Sequence, residues 1–217
     1  MKGNMTNQDL TQLLVIVDRS GSMRSCEQDM RGALDTFFEE QAKLDGTAVV
    51  DYVQFDDTYE LVYTDKDVSE AKAVLQPRGM TALLDAIGKG VTQLGEKLAA
   101  RAEADRPGTV LVAVVTDGGE NSSHDWTREG VVDLIREQTD KWNWDFVFLG
   151  ANMDAVSVGR SFGFDPNKSL TYNTSNTGQT MSSLSTYAGT VRQAKGNKAA
   201  VAAAAFSDED RENAVKS

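Results

Sequence analysis

The feature that most constrains the fold of this chain is a run of five apolar residues that ends abruptly in polar ones. Leu13 to Val17 are all aliphatic, and the next six residues are Asp-Arg-Ser-Gly-Ser-Met. A continuous apolar run is typical of a strand buried on both faces, as in a parallel sheet. In open α/β sheets, ligands bind just beyond the carboxyl ends of such strands. The carboxylate of Asp18 and the hydroxyls of Ser20 and Ser22 therefore indicate a site for a hard divalent cation such as Mg²⁺.

Further segments of the sequence alternate between strand and helix patterns. Val110–Val115 and Phe146–Leu149 are again continuous apolar runs, and residues 169–172 form a last short strand. Between the strands, apolar residues recur every three or four positions, which is typical of amphipathic helices. We expect helices near residues 26–44, 68–75, 83–100, 126–135, 154–161 and 180–194. This alternation predicts a doubly wound, mostly parallel α/β sheet.

One pair of strands departs from the parallel pattern. Residues 47–55 and 59–63 are rich in β-branched and aromatic side chains, and the short Asp56-Asp57 connection lies between them. So short a connection indicates a hairpin. We therefore expect residues 59–63 to form an antiparallel edge strand.

The length and composition fit one domain with a short tail. A chain of 217 residues is long enough for one sizeable core and too short for two ordinary domains. Apolar residues make up 40% and charged residues 25%, which is the balance of a globular protein. We expect a flexible amino terminus over residues 1–9 and a domain over 10–196. The alanine-rich and acidic residues 197–217 are expected to form a weakly ordered or helical tail.

Charge and cysteine content argue against several kinds of partner. The chain has 33 acidic and 22 basic residues, a formal net charge of −11, and its cations are scattered. Nucleic-acid binding depends on clustered Lys and Arg, so we expect no nucleic-acid partner. Cys26 is the single cysteine and cannot form an internal disulfide, and no apolar run approaches the length of a membrane span. We therefore expect a cytoplasmic protein without a membrane partner.

Two more loops carry oxygen ligands and complete a recognisable pattern. Thr81 ends a Gly-Met-Thr loop, and Asp117 follows the apolar run Val110–Val115. The pattern Asp-x-Ser-Gly-Ser-Met, then Gly-Met-Thr, then Thr-Asp-Gly resembles the von Willebrand factor A (VWA) domain family. These are the positions of that family's metal-ion-dependent adhesion site (MIDAS). The resemblance covers about residues 10–195, including the order of strands and helices.

The resemblance implies both a fold and a set of metal ligands. It implies a Rossmann-like sheet of six strands, one of them antiparallel, with helices on both faces. It also implies Mg²⁺ or Mn²⁺ held by Ser20, Ser22 and Thr81, with Asp18 and Asp117 binding directly or through water. The chain resembles the intracellular, bacterial or phage-like type of the family. Such members often work beside AAA+ ATPases or in multi-component bacterial and phage systems, which makes an AAA+ ATPase a candidate partner.

This set of ligands indicates docking rather than catalysis. An octahedral cation takes six oxygens, so five side chains leave at least one position for an outside ligand. Because only two of the five are anionic, they roughly balance the charge of a divalent cation. A Glu or Asp from a partner protein can then complete the shell. We predict a metal-dependent protein-interaction module with no catalytic residues.

Two alternatives remain open from the sequence. One is a Mg²⁺-dependent phosphoryl-transfer enzyme with Asp18 as its nucleophile. Such enzymes usually need a second carboxylate where this chain has Ser20, and the sequence has no Gly-x-x-x-x-Gly-Lys-[Ser/Thr] loop for a nucleotide. The other is a structural or assembly protein in which the metal is incidental.

Other polar residues near the motifs have two interpretations each. Arg19, Arg24 and Arg78 can steer an acidic partner, or they can be ordinary solvated arginines. Glu120 and Asn121 either line the rim of the site or belong to a turn with polar ends.

The acidic residues of the tail suggest self-association. Asp208, Glu209 and Asp210 are ligands of the kind that an open metal site takes. Reaching the site of the same chain would be entropically costly, so we expect donation to a neighbouring copy.

Overall fold

Six strands form a single sheet among residues 6–216, which the computed structural model describes. They are β1 (Asn7–Asp18), β2 (Thr47–Phe55), β3 (Tyr59–Asp67), β4 (Pro107–Thr116), β5 (Asp145–Ala151) and β6 (Ser169–Tyr172). Their order across the sheet is β3-β2-β1-β4-β5-β6. Neighbouring strands are parallel except β2 and β3, which form an antiparallel hairpin at one edge. The predicted α/β sheet with one antiparallel edge strand is confirmed.

Helices cover both faces of this sheet. They are α1 (Glu27–Ala42), α2 (Leu83–Ala99), α3 (Arg128–Trp142), α4 (Ala155–Ser161), α5 (Thr177–Gln193), α6 (Lys198–Ala203) and α7 (Asp208–Val215). Along β1, Leu13, Val15 and Val17 point into the core with α1 and α5, whereas Leu14 and Ile16 point into the core with α2, α3 and α4. Because both faces are covered, the central strands carry continuous apolar runs, such as Leu13–Val17 in β1 and Val110–Val115 in β4. Between residues 6 and 216, no helix combines the length and the apolarity needed to cross a bilayer.

The segment after β3 differs from the prediction. The helix expected over residues 68–75 is wrong, since only Val68–Glu70 form a short 3₁₀ helix and residues 71–82 belong to no helix or strand. From residue 71 to 76, buried side chains alternate with less buried ones, as in extended chain. The amide of Ala73 donates to Asp35 Oδ1 of α1 at 2.7 Å. Packing against α1 therefore holds this segment extended.

The first strand begins earlier than residue 10, where the sequence predicted the domain to start. Asn7 pairs with Pro107 of β4, and its amide donates to the carbonyl of Arg106 at 2.8 Å. Residues 7–9 therefore belong to β1 and not to a flexible terminus, because β4 offers them a partner strand. Residues 1–5 of the predicted terminus lie outside the described residues.

Residues 197–216 pack against the domain as two helices. Phe206, between α6 and α7, is buried with its ring centroid 5.1 Å from that of Tyr187 on α5. Arg211 of α7 donates to the carbonyl of Ser169 on β6 at 2.9 Å. The predicted tail is thus helical over most of its length, and it extends the core on the α5 face of the sheet.

Candidate metal centre

β1 and β4 end side by side, which brings the first and third motifs together. Val17 lies opposite Val115 in the sheet, so that Asp18 and Thr116 come next at neighbouring strand ends. Thr116 Oγ1 donates to Asp18 Oδ2 at 2.6 Å, and the amide of Ser20 donates to Asp18 Oδ1 at 2.6 Å. Asp18 is fully buried. Its carboxylate is therefore fixed between the two strand ends.

The hydroxyls of Ser20 and Ser22 connect the first motif to Asp117. The two Oγ atoms are 2.9 Å apart, and Ser22 Oγ donates to Asp117 Oδ1 at 2.6 Å. Because a hydroxyl has a single hydrogen, Ser20 is the donor between the two serines. Ser20 is buried and Ser22 is exposed, so this chain of hydroxyls runs from the interior to the surface.

Oxygens of the first and second motifs lie close to Gly118 of the third. A Cβ atom added at residue 118 would lie 3.2 Å from Thr81 Oγ1, 3.7 Å from Asp18 Oδ2 and 3.9 Å from Ser22 Oγ. These oxygens therefore face the same point. The Gly-Met-Thr loop reaches the place where the two strands end, and all five predicted ligands lie together.

Burial raises the pKa of both carboxylates of this site. Burial raises the pKa of Asp18 to about 6, against the hydrogen bonds from Thr116 and Ser20, and the charge of Asp117 adds to the increase. Burial also raises the pKa of Asp117, against the hydrogen bond from Ser22. A divalent cation at these oxygens would stabilise the ionised carboxylates.

The donor set fits a hard divalent cation only if its hydroxyls take part. Within residues 6–216, no group of three or more His, Cys, Asp or Glu side chains is placed to hold a metal. Asp18 and Asp117 supply carboxylates, and Ser20, Ser22 and Thr81 supply hydroxyls. Oxygen donors without sulfur or imidazole are those that Mg²⁺ and Mn²⁺ prefer.

The second and third motifs are interlocked by side chains that bind backbone groups. The amide of Thr81 donates to Asn121 Oδ1 at 2.9 Å, and the amide of Asn121 donates to the carbonyl of Thr81 at 3.0 Å. The Glu120 carboxylate accepts from the amides of Leu84 and Ser123, each at 2.8 Å. Of the two interpretations of Glu120 and Asn121, the structure supports the turn with polar ends, because Glu120 binds this turn and the start of α2, and Asn121 binds the amide of Thr81.

Two supporting residues lie outside the predicted set of ligands. Thr116 orients Asp18, and its position directly before Asp117 was the available signal. Asp85 of α2 accepts hydrogen bonds at 2.8 to 3.0 Å from three consecutive amides that begin at His124. These amides lie 39 to 41 residues later in the chain, so no local pattern indicated the role of Asp85.

The three arginines near the motifs differ in their surroundings. Arg24 is exposed, and the side chain of Arg78 is 60% exposed. Arg19 is only 2% exposed and forms an ion pair with Asp56. Arg19 therefore fits neither sequence-based interpretation, since it is not solvated and cannot reach a partner.

Known structures share this fold at low sequence identity. No protein-family model matches the chain, and no curated protein is significantly similar to it in sequence. Proximal thread matrix protein 1 from the mussel byssus, solved with a zinc-occupied MIDAS motif, is similar with a TM-score of 0.60 and 18% identity, over 82% of this chain and 46% of that one. A von Willebrand factor type A structure from Catenulispora acidiphila has a TM-score of 0.57 and 16% identity, over 83% and 43%.

A pilus protein is similar over most of its own length. The vWF domain of the type V pili tip protein from Porphyromonas gingivalis has a TM-score of 0.56 and 8% identity, over 81% of this chain and 94% of that one. By contrast, the chain spans less than half the length of the mussel and Catenulispora chains. At such identities the likeness establishes the fold alone. The chain has the fold of von Willebrand factor A domains.

Proposed function

We propose that this chain is a metal-dependent protein-interaction module. Mg²⁺ or Mn²⁺ would be held by Asp18, Ser20, Ser22, Thr81 and Asp117, and a carboxylate from a partner protein would complete the coordination shell. The observation that carries the proposal is the convergence of the three motifs: oxygens of Asp18, Ser22 and Thr81 lie within 4 Å of a Cβ placed at Gly118, and Ser22 Oγ donates to Asp117 Oδ1. A similar fold with zinc in its MIDAS motif and a similar domain of a pilus tip protein support it.

The charges of the site explain why the partner supplies an acid. Asp18 and Asp117 together balance a divalent cation, and the hydroxyl ligands are neutral. Because the three hydroxyl ligands are neutral, a further carboxylate brings the net charge of the site to only about −1, and the cation can still accept it. We propose no catalytic role for Asp18, because Ser20 lies where a phosphoryl-transfer enzyme would usually need a second carboxylate.

Calorimetric titration with MgCl₂ and MnCl₂ tests the metal site. We expect the wild-type protein to bind one cation. The affinity of Asp117→Ala should be lower by more than about 100-fold, which is more than the loss of an outer-shell partner typically causes. Asp133→Ala is the control, because Asp133 is an exposed acid of α3 whose ion pair is with Arg136 on the same helix. Circular dichroism checks that each variant is folded. Wild-type affinity in Asp117→Ala, or no cation binding by the wild type, would refute the proposal.

The orientation of α7 determines at which end of the sheet its acidic first turn lies. Arg211 bonds the carbonyl of Ser169 at the start of β6, and the amide of Asn173, just beyond the end of β6, donates to the carbonyl of Ala214 at 2.9 Å. The helix therefore begins near the amino end of β6. Since β6 runs in the same direction as β1, residues 208–210 lie at the end of the sheet opposite the metal site.

We propose that an acidic ligand reaches the metal in trans, with a second copy of the chain as the first candidate and an AAA+ ATPase as the second. Asp208 and Glu209 are exposed, and contact between opposite ends of two copies would form open chains. Light scattering should show a Mg²⁺-dependent increase in mass for the wild type that Asp208→Asn/Glu209→Gln lacks. An unchanged wild-type mass would exclude self-association and leave a different protein as the partner.

A further inference from the structure

A buried carboxylate outside the predicted ligand set lies where two loops of the metal site meet. Asp56 directly follows β2 and is fully buried. Its Oδ2 accepts from Arg19 Nε at 3.0 Å and from Arg78 Nε at 2.8 Å. Its Oδ1 accepts from the amide of Thr58 at 2.7 Å and from the hydroxyl of Thr58 at 2.6 Å. Both oxygens are therefore fully engaged.

Backbone hydrogen bonds join the same segments. The amide of Arg19 donates to the carbonyl of Phe55 at 2.7 Å, and the amide of Arg78 donates to the carbonyl of Arg19 at 2.7 Å. The amide of Ala82 donates to the carbonyl of Asp56 at 2.8 Å. Arg19 and Ala82 are each next in sequence to a proposed metal ligand. The end of β2 thus supports the first motif and the Gly-Met-Thr loop at the same time.

The charges of this cluster are balanced within it. Arg19 pairs with Glu60 as well as with Asp56, and Arg78 pairs with Asp56. Burial raises the pKa of Asp56, but the hydrogen bonds from Thr58 and Arg78 and the charge of Arg19 outweigh burial and leave the pKa below its usual value. Asp56 is therefore ionised at neutral pH, and it holds both guanidinium groups.

We propose that Asp56 is a positioning residue of the metal site. By binding Arg19 and Arg78 at once, it fixes the loop of Ser20 and Ser22 relative to the loop of Thr81. Metal affinity depends on such outer-shell groups because they hold the ligands in the geometry that the cation needs. On its other side, the Thr81 loop is held by Asn121. The inference rests on the proposed metal-binding function.

Asp56→Asn and Asp51→Asn form a matched pair for the test. Asp51 is also a buried acid of the β2 segment, and it accepts hydrogen bonds from Lys97 and Gln12. Its hydrogen bonds among the described residues reach none of the motif loops. Both variants should lower the midpoint of thermal unfolding in EDTA. Only Asp56→Asn should also weaken Mg²⁺ binding, measured by calorimetry, by about 10- to 100-fold.

Arg78→Gln keeps the inference testable if Asp56→Asn does not fold. The Arg78 side chain is 60% exposed, so its replacement leaves the core intact while removing one of the two arginines from Asp56. We expect it to weaken Mg²⁺ binding by about tenfold, the low end of that range.

Several results would overturn the inference. They are wild-type Mg²⁺ affinity in folded Asp56→Asn, wild-type affinity in Arg78→Gln, or an equal loss of affinity in Asp51→Asn and Asp56→Asn. The last result would mean that general destabilisation, and not positioning, weakens the site. Failure of the proposed function looks different, because the wild type itself would then bind neither Mg²⁺ nor Mn²⁺, and the inference would fail with it.

Discussion

Replacing Gly118 by alanine should block the proposed metal site without unfolding the protein. The added Cβ would lie 3.2 Å from Thr81 Oγ1, 3.7 Å from Asp18 Oδ2 and 3.9 Å from Ser22 Oγ. A bound Mg²⁺ needs its oxygens at about 2.0–2.1 Å in near-octahedral geometry. A methyl group among these oxygens takes part of the space that the cation and its remaining ligands need. The substitution should therefore destabilise the metal-bound protein far more than the metal-free protein.

The size of the effect can be bounded from the same contacts. We expect the Mg²⁺ affinity of Gly118→Ala to fall at least about tenfold, or about 1.4 kcal/mol. Without metal, the 3.2 Å contact with Thr81 Oγ1 requires a shift of only a few tenths of an ångström. Alanine also lowers the entropy of the unfolded chain, which stabilises a protein by about 0.4–1 kcal/mol. The free energy of unfolding in EDTA should therefore change by less than about 1 kcal/mol.

Gly119→Ala is the matched control for this prediction. A Cβ at Gly119 has no atom within 4 Å, although it is the next residue of the same loop. Calorimetry should give wild-type Mg²⁺ affinity for Gly119→Ala, and urea unfolding in EDTA should give similar stability for both variants. Wild-type affinity in Gly118→Ala would refute the placement of the cation beside residue 118.

Three further predictions concern stability and are measured by urea unfolding. Gly88→Ala should destabilise the protein by about 1–3 kcal/mol, because its Cβ would lie 2.1 Å from the ring of Trp126. Gly32→Ala on α1 is the control, and it should stabilise the protein by up to about 1 kcal/mol because its Cβ would have no atom within 4 Å. Phe206→Ala should cost about 3–5 kcal/mol, because Phe206 is buried in the core on the α5 face, and a change below about 1 kcal/mol would contradict this. The pKa of Asp56 is lower in the folded protein than in the unfolded chain, so its ionised form stabilises the fold. This contribution to the free energy of unfolding is fully present above the pKa of Asp56 in the unfolded chain, and it is lost as the pH falls through the pKa in the folded protein. Wild-type stability should therefore fall more steeply than that of Asp56→Asn below about pH 4, and parallel curves would contradict this.

Local patterns predicted the strands and helices because the residues that each element buries are apolar and recur at a regular spacing in the sequence. The continuous apolar run before Asp18 became the central strand β1, and residues 47–55 form β2 as expected. The same reasoning failed at residues 68–75, where apolar residues spaced as in a helix belong to an extended segment held by α1. Short segments are ambiguous in this way, since the neighbour against which they pack decides between the two forms.

The sequence by itself determined the chemistry that this protein can offer. The carboxylates and hydroxyls of the three motifs can be named from the sequence, because each follows a recognisable local element. Only the tertiary structure decided how those groups are held. Arg19 looked like a surface cation, yet it is buried against Asp56, which lies 37 residues away in the chain. Asp85 is likewise distant in sequence from the loop that it supports. Ion pairs and loop contacts of this kind join residues that are far apart in the chain. They could not be predicted from hydrophobic periodicity, because periodicity describes only neighbouring residues.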